Sequence, residues 1–256
     1  MRRILFIVMV CILGIGSFGC ASYQDLANED NRDKKADYLY EYGSTLLMDN
    51  KAGEAIRQLT EAWKIKPKDP RILNNLGLAY LMSGDRDEAR AHFEKAVSYD
   101  EKFGDALINL GRLEMDAGRY SKARDYFTKA SLDVTYRGVS NAFANVGLSY
   151  LREQNYTLAE KSFRKAVSLQ PDHCEATLWL ADSYALRGAH ELSTQVYKRA
   201  VGLACPMVPF AHFKLARSYI KISHFDDARK KYKEIIERFP QSRYAALAQK
   251  ELKNLP

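Results

Sequence analysis

Little in these 256 residues suits catalysis or metal binding. The five histidines, His92, His173, His190, His212 and His224, stand at no short ligand spacing. His190-Glu191 begins a zinc-protease-like string, but Thr194 occupies the place of the second histidine, so one helical face cannot offer two imidazoles. Glycine-rich phosphate loops are missing. Cys174 follows His173 directly, and adjacent residues at a helix start point apart, which argues against a nucleophile with its base. The expectation is therefore no enzyme activity, no cofactor and no metal. Charge is equally unspecialised: 39 Lys and Arg face 32 Asp and Glu, and no five like charges run together. Such a spread describes solvated faces and excludes a nucleic-acid footprint.

Long apolar runs are also scarce. The N-terminal run from Ile4 to Ile15 falls short of the roughly 20 residues that a membrane span requires. Arg2 and Arg3 precede it, and the small residues Gly16, Ser17 and Gly19 separate it from Cys20. That order reads as a cleaved export signal over residues 1–19. Residues 20–35, rich in Asn, Asp and Lys, read as a flexible tether.

What the chain has in abundance is periodicity. Small residues recur at Gly43, Gly77, Gly111, Gly147, Ala181 and Ala216, in steps of 34, 34, 36, 34 and 35. A second small position recurs at Ala55, Ala89, Ala123, Ala159, Ser193 and Ala228, and a third at Ala62, Ala96, Ala130, Ala166 and Ala200. Large residues keep register with them, as in Phe143, Val146, Tyr150 and Phe163 of the most regular unit. Small positions let paired helices approach, and large ones fill the space between pairs. Two departures stand out. Glu114 takes a place that is apolar elsewhere, and two extra residues lie at Arg137 to Val139.

These positions resemble the tetratricopeptide repeat. The resemblance implies an all-α fold, a tetratricopeptide superhelix of six helix pairs plus a C-terminal capping helix. The repeats would occupy residues 36–69, 70–103, 104–137, 140–173, 174–207 and 209–242 of the array 36–242, with the cap at 243–256. Cys174 would open the first helix of repeat five and Cys205 would follow its second, ends that lie side by side in an antiparallel pair. They are therefore candidates for a disulfide closing a loop of about 30 residues, the alternative being two separate buried thiols.

In such a superhelix the first helices line the concave face. Tyr40, Leu47, Leu78, Leu81, Ile108 and Met115 then form a candidate partner-binding groove, unless these side chains serve only to pack the array. The clamp with which chaperone adaptors hold a terminal carboxylate is not reproduced, since only Asn75 fits it and Asp105 would repel the ligand.

Gly19-Cys20 resembles the lipobox of bacterial lipoproteins, although Ser17 replaces the usual leucine. The resemblance implies lipidation at Cys20 and an address on the periplasmic face of the outer membrane. Taken together, a lipobox-like start, a short tether and six repeats resemble the type IV pilus biogenesis/stability lipoproteins of the PilF/PilW type. That family implies a pilotin: a monomer, lipid-anchored in the membrane, that binds the outer-membrane secretin and promotes its localisation and multimer assembly. A periplasmic repeat adaptor serving envelope proteases, cell-wall hydrolases or outer-membrane protein assembly is the alternative.

Overall fold

The computed structural model describes residues 23–256 apart from Val134. The expected export signal and Cys20 lie outside the described residues. Thirteen α-helices and no strand occur among those described. The first helices of the six pairs are α1 (Tyr23–Met48), α3 (Pro70–Met82), α5 (Gly104–Asp116), α7 (Val139–Arg152), α9 (Cys174–Leu186) and α11 (Pro209–Lys221). Their partners are α2 (Ala52–Ile65), α4 (Arg86–Tyr99), α6 (Tyr120–Leu132), α8 (Tyr156–Leu169), α10 (His190–Arg199) and α12 (Phe225–Arg238), followed by α13 (Arg243–Lys253). Residues 23–35 are helical rather than a loose tether. No Gly or Pro interrupts the chain between Cys20 and Gly43, and Lys34 pairs with Asp30 one turn back at 2.6 Å.

Local chemistry sets the helix ends. Asp69, Asp85, Asn155 and Ser242 accept backbone N–H groups of the first turns of α3, α4, α8 and α13. Each turn inside a pair carries one left-handed residue: Asn50, Gly84, Gly118, Gln154, Gly188 and Ser223. Glycine fills three of these six places because it adopts positive φ without a Cβ penalty.

The small-residue ladder has a direct steric cause. A Cβ on Gly77, Gly111 or Gly147 would lie 2.5, 2.3 or 2.6 Å from the ring of Phe93, Phe127 or Phe163 respectively. Leu59 stands against Gly43 in the same way. Each second helix thus seats one large side chain directly on the backbone of its first helix. Repeats five and six have alanine there, with the buried rings of Tyr197 and Tyr232 as counterparts. No repeat closes its own core: Leu39, Leu46 and Leu59 of repeat one pack with Ile72 and Leu76 of repeat two, and the pattern continues down the array.

The two irregular steps are absorbed differently. The longer one lies in the loop after α6, where the Tyr136 ring covers Gly104 and Gly138 and its hydroxyl donates to Asp105 at 2.8 Å. The step into repeat six is taken up by a π turn, Ala200–Ala204. Its i→i+5 bond from Cys205 N to Ala200 O accommodates one extra residue without breaking the helix.

Candidate protein-binding face

The first helices share one side of the array, and its character changes along the length. In repeats one to three, polar side chains cross between helices. The Asn75 amide donates to Ser44 at 2.8 Å, the Asn74 amide to Asn75 at 3.2 Å, and the Asn109 amide to Asn74 at 2.9 Å. Asn74 and Asn109 are buried, so this ladder sets the register of neighbouring repeats.

The six side chains expected to line the groove flank that ladder. Tyr40 and Leu47 are half-buried against the core of repeat one, and the Arg71 guanidinium lies 5.2 Å from the Tyr40 ring centroid. Leu78 and Leu81 are half-buried against Phe93 and Leu110. Ile108 is only 6% exposed and belongs to the packing around Phe127, so it presents no surface to a partner. Met115 is half-buried and reaches a recess of about 370 Å³ between α5, α7 and α9. That recess also contains Arg112, Leu148, Arg152 and Trp179.

A further recess, of about 380 Å³, follows between α7, α9 and α11. Leu151, Ala185 and Leu186 supply its apolar side, and Lys214, Arg217 and Lys221 its positive side. Asp182 receives the Tyr197 hydroxyl and the Lys214 ammonium, the latter at 2.8 Å. Burial, with the Asp182 carboxylate beside it, pushes the Tyr197 hydroxyl far above the ordinary range, so it remains a proton donor. Trp179, Arg152, Leu186, Arg217 and Lys221 lie in repeats four to six, beyond the groove expected from Tyr40 to Met115.

Two other expectations concern cysteine and histidine. Cys174 and Cys205 are paired, with Cα atoms 5.2 Å apart across 31 positions of sequence. His173 caps α9 by accepting the Ala176 N–H, and burial holds its imidazole below the ordinary value. No group of three or more metal-ligating side chains exists among the described residues. None of their helices is long and apolar enough to cross a membrane.

Models of the tetratricopeptide repeat match residues 46–92, 74–132, 147–207 and 210–242. The chain belongs to the tetratricopeptide repeat family. Within this family, identity alone discriminates poorly. The human cell division cycle protein 16 homolog is 31% identical over 130 residues, which are 50% of this chain and 20% of that protein. Extent discriminates better. The type IV pilus assembly protein PilF of Pseudomonas aeruginosa is 25% identical over 177 residues, 68% of this chain and 70% of PilF. The solved structure of that PilF superposes with a TM-score of 0.73 at 21% identity, over 86% of this chain and 99% of the other. PilW, described as a widely conserved type IV pilus biogenesis factor, gives 0.73 at 19% identity over 84% and 98%. The array thus shares the fold of PilF and PilW almost from end to end of those two chains.

Proposed function

We propose that the protein is a pilotin-like adaptor of type IV pilus biogenesis, held on the periplasmic face of the outer membrane by acyl chains on Cys20 and binding the secretin through its first-helix face. The observation that carries this reading is the shared extent with PilF: the similarity takes in more than two thirds of both chains, whereas the human cell division cycle protein 16 homolog aligns over 20% of its own length. Lipid supplies location and the face supplies recognition, so each can be removed separately.

Cys20→Ala is expected to abolish incorporation of labelled palmitate and to release the chain from the outer-membrane fraction. Persistence of both would remove the anchor from the account. Recognition falls to Leu78 and Leu81, together with Tyr40, Leu47 and Met115. A tagged chain should co-purify the secretin from detergent extracts, and Leu78→Glu with Leu81→Glu should reduce the yield about tenfold or more, as expected when charge enters an apolar contact. Recovery of cell-wall hydrolases or assembly factors in place of the secretin would favour a different envelope adaptor.

Export would place Cys174 and Cys205 in an oxidising compartment, where their pairing becomes a covalent staple of repeat five. The chain should then resist thiol labelling until reduced. Cys174→Ala with Cys205→Ala should lower stability by roughly 2–4 kcal/mol in urea titration. Full labelling of both thiols without reductant would exclude the bridge.

A further inference from the structure

Several cations of the first helices and their ends have a carboxylate partner: Arg71 pairs with Asp69, Arg187 with Glu160 and Lys214 with Asp182. Arg217 and Lys221, like Arg112 and Arg152 of the neighbouring recess, have no carboxylate within 4.0 Å among the described residues; both are exposed, and both border the recess between α7, α9 and α11. The only carboxylate lining that recess, Asp182, is already engaged by Lys214 and Tyr197, so three cations stand against one committed anion. Opposite them the recess is apolar, with Leu151, Ala185 and Leu186, the last exposed at 55%.

We infer that this recess is a second recognition site, distinct from the Leu78 and Leu81 region, for an extended segment of a partner protein in which acidic and apolar residues alternate. Three features favour that occupant. The excess positive charge calls for carboxylates, and the leucine side calls for an apolar side chain between them. Spacing agrees as well: side chains four apart on a helix stand about 5–6 Å apart, and alternate side chains of an extended chain stand about 6.6 Å apart. Arg217 and Lys221 can therefore each meet one acidic residue of the same strand face while the intervening residue turns toward Leu151 and Leu186. Tyr197, Asp182 and Lys214, joined through the Asp182 carboxylate, line the same recess. A flat polyanion such as nucleic acid would use the cations but leave the apolar side empty.

The test uses the full chain in detergent and a fluorescein-labelled, acetylated eight-residue peptide of alternating Asp and Leu, followed by fluorescence anisotropy. Saturable binding is expected, weaker at 0.5 M than at 0.05 M salt, as screening requires. Arg217→Glu with Lys221→Glu should raise Kd about tenfold or more, and Leu186→Ser about threefold. An Asp and Ser peptide of equal charge should bind more weakly than the Asp and Leu peptide. Leu78→Glu with Leu81→Glu should leave the affinity unchanged, which separates this site from secretin capture. Three results would each overturn the inference: absence of saturable binding, indifference to the Arg217 and Lys221 changes, or equal affinity for the Asp and Ser peptide. Loss of binding in the Leu78 and Leu81 variant would contradict a separate site.

Discussion

Gly111→Val is expected to lower the stability of the array by about 3 kcal/mol, at the upper end of ordinary overpacking. The new Cβ alone would sit 2.3 Å from the Phe127 ring, and that ring is 1% exposed. Either α5 and α6 separate or Phe127 leaves its rotamer. For a chain of this length the loss corresponds to a fall in Tm of roughly 6–12 °C. Two comparisons isolate the cause. Gly53→Ala, with nothing near its Cβ and a helical backbone, should be neutral or slightly stabilising. Phe127→Ala should itself cost about 3–5 kcal/mol. The combination with Gly111→Val should cost clearly less than the sum, because the valine occupies part of the vacated space. Additive costs would show that the two positions do not meet.

Glu114→Ala should be similarly damaging, by about 3 kcal/mol, through electrostatics instead of volume. The Glu114 carboxylate is fully buried and accepts from Arg119 and Arg90, with the Lys122 ammonium at 3.3 Å. Hydrogen bonds from Arg119 and Arg90 outweigh the cost of burial and hold its pKa at about 2 rather than 4.5. Removing one partner of such a cluster leaves the others partly desolvated, although Arg119 and Lys122 are half exposed and can turn to water, which tempers the loss. Because the folded pKa lies below the unfolded one, the stabilisation is complete above about pH 4.5. It is lost progressively as pH falls toward 2, a span of about 3 kcal/mol. The buried imidazoles His173 and His212 and the half-buried His92 are held below their ordinary value by desolvation, so their destabilising protonation begins at higher pH, below about 6.5. Urea titrations should therefore show two acid steps, with only the lower one diminished in Glu114→Ala, since Asp69, Asp133 and Glu234 also have lowered pKa values and keep part of it. Repeats two, four, five and six carry tyrosine at this position, as Tyr80, Tyr150, Tyr184 and Tyr219. Glu114→Tyr should accordingly restore much of the stability while leaving the lower step diminished.

The helical repeat was legible because its cause is local and recurrent. One Cβ too many at Gly77, Gly111 or Gly147 collides with one ring, so the constraint is written into every unit. The role of Glu114 was not legible beyond its being out of place. Its partners lie 24 residues before it, at Arg90, and 5 and 8 residues after it, at Arg119 and Lys122, and only the stacking of α4, α5 and α6 brings them together. The helical start at Tyr23 was hidden by polar composition, which suits a solvated helix as well as a coil. The face was half legible. Periodicity placed Leu78 and Leu81 on it, yet it gave no warning that Ile108 is consumed by packing, 6% exposed. Nor did it place Trp179, Arg217 and Lys221 at recesses whose walls come from four different helices.

The most direct measurement of the whole account is the amount of heat-resistant secretin multimer in outer membranes of cells lacking this chain. They are complemented in turn by the wild type, by Cys20→Ala and by Leu78→Glu with Leu81→Glu. Full multimer with the wild type, mislocalised or scarce multimer without the anchor, and scarce multimer with a correctly placed, folded Leu78 and Leu81 variant are the results predicted. Multimer at wild-type level in cells that lack the chain altogether would contradict it.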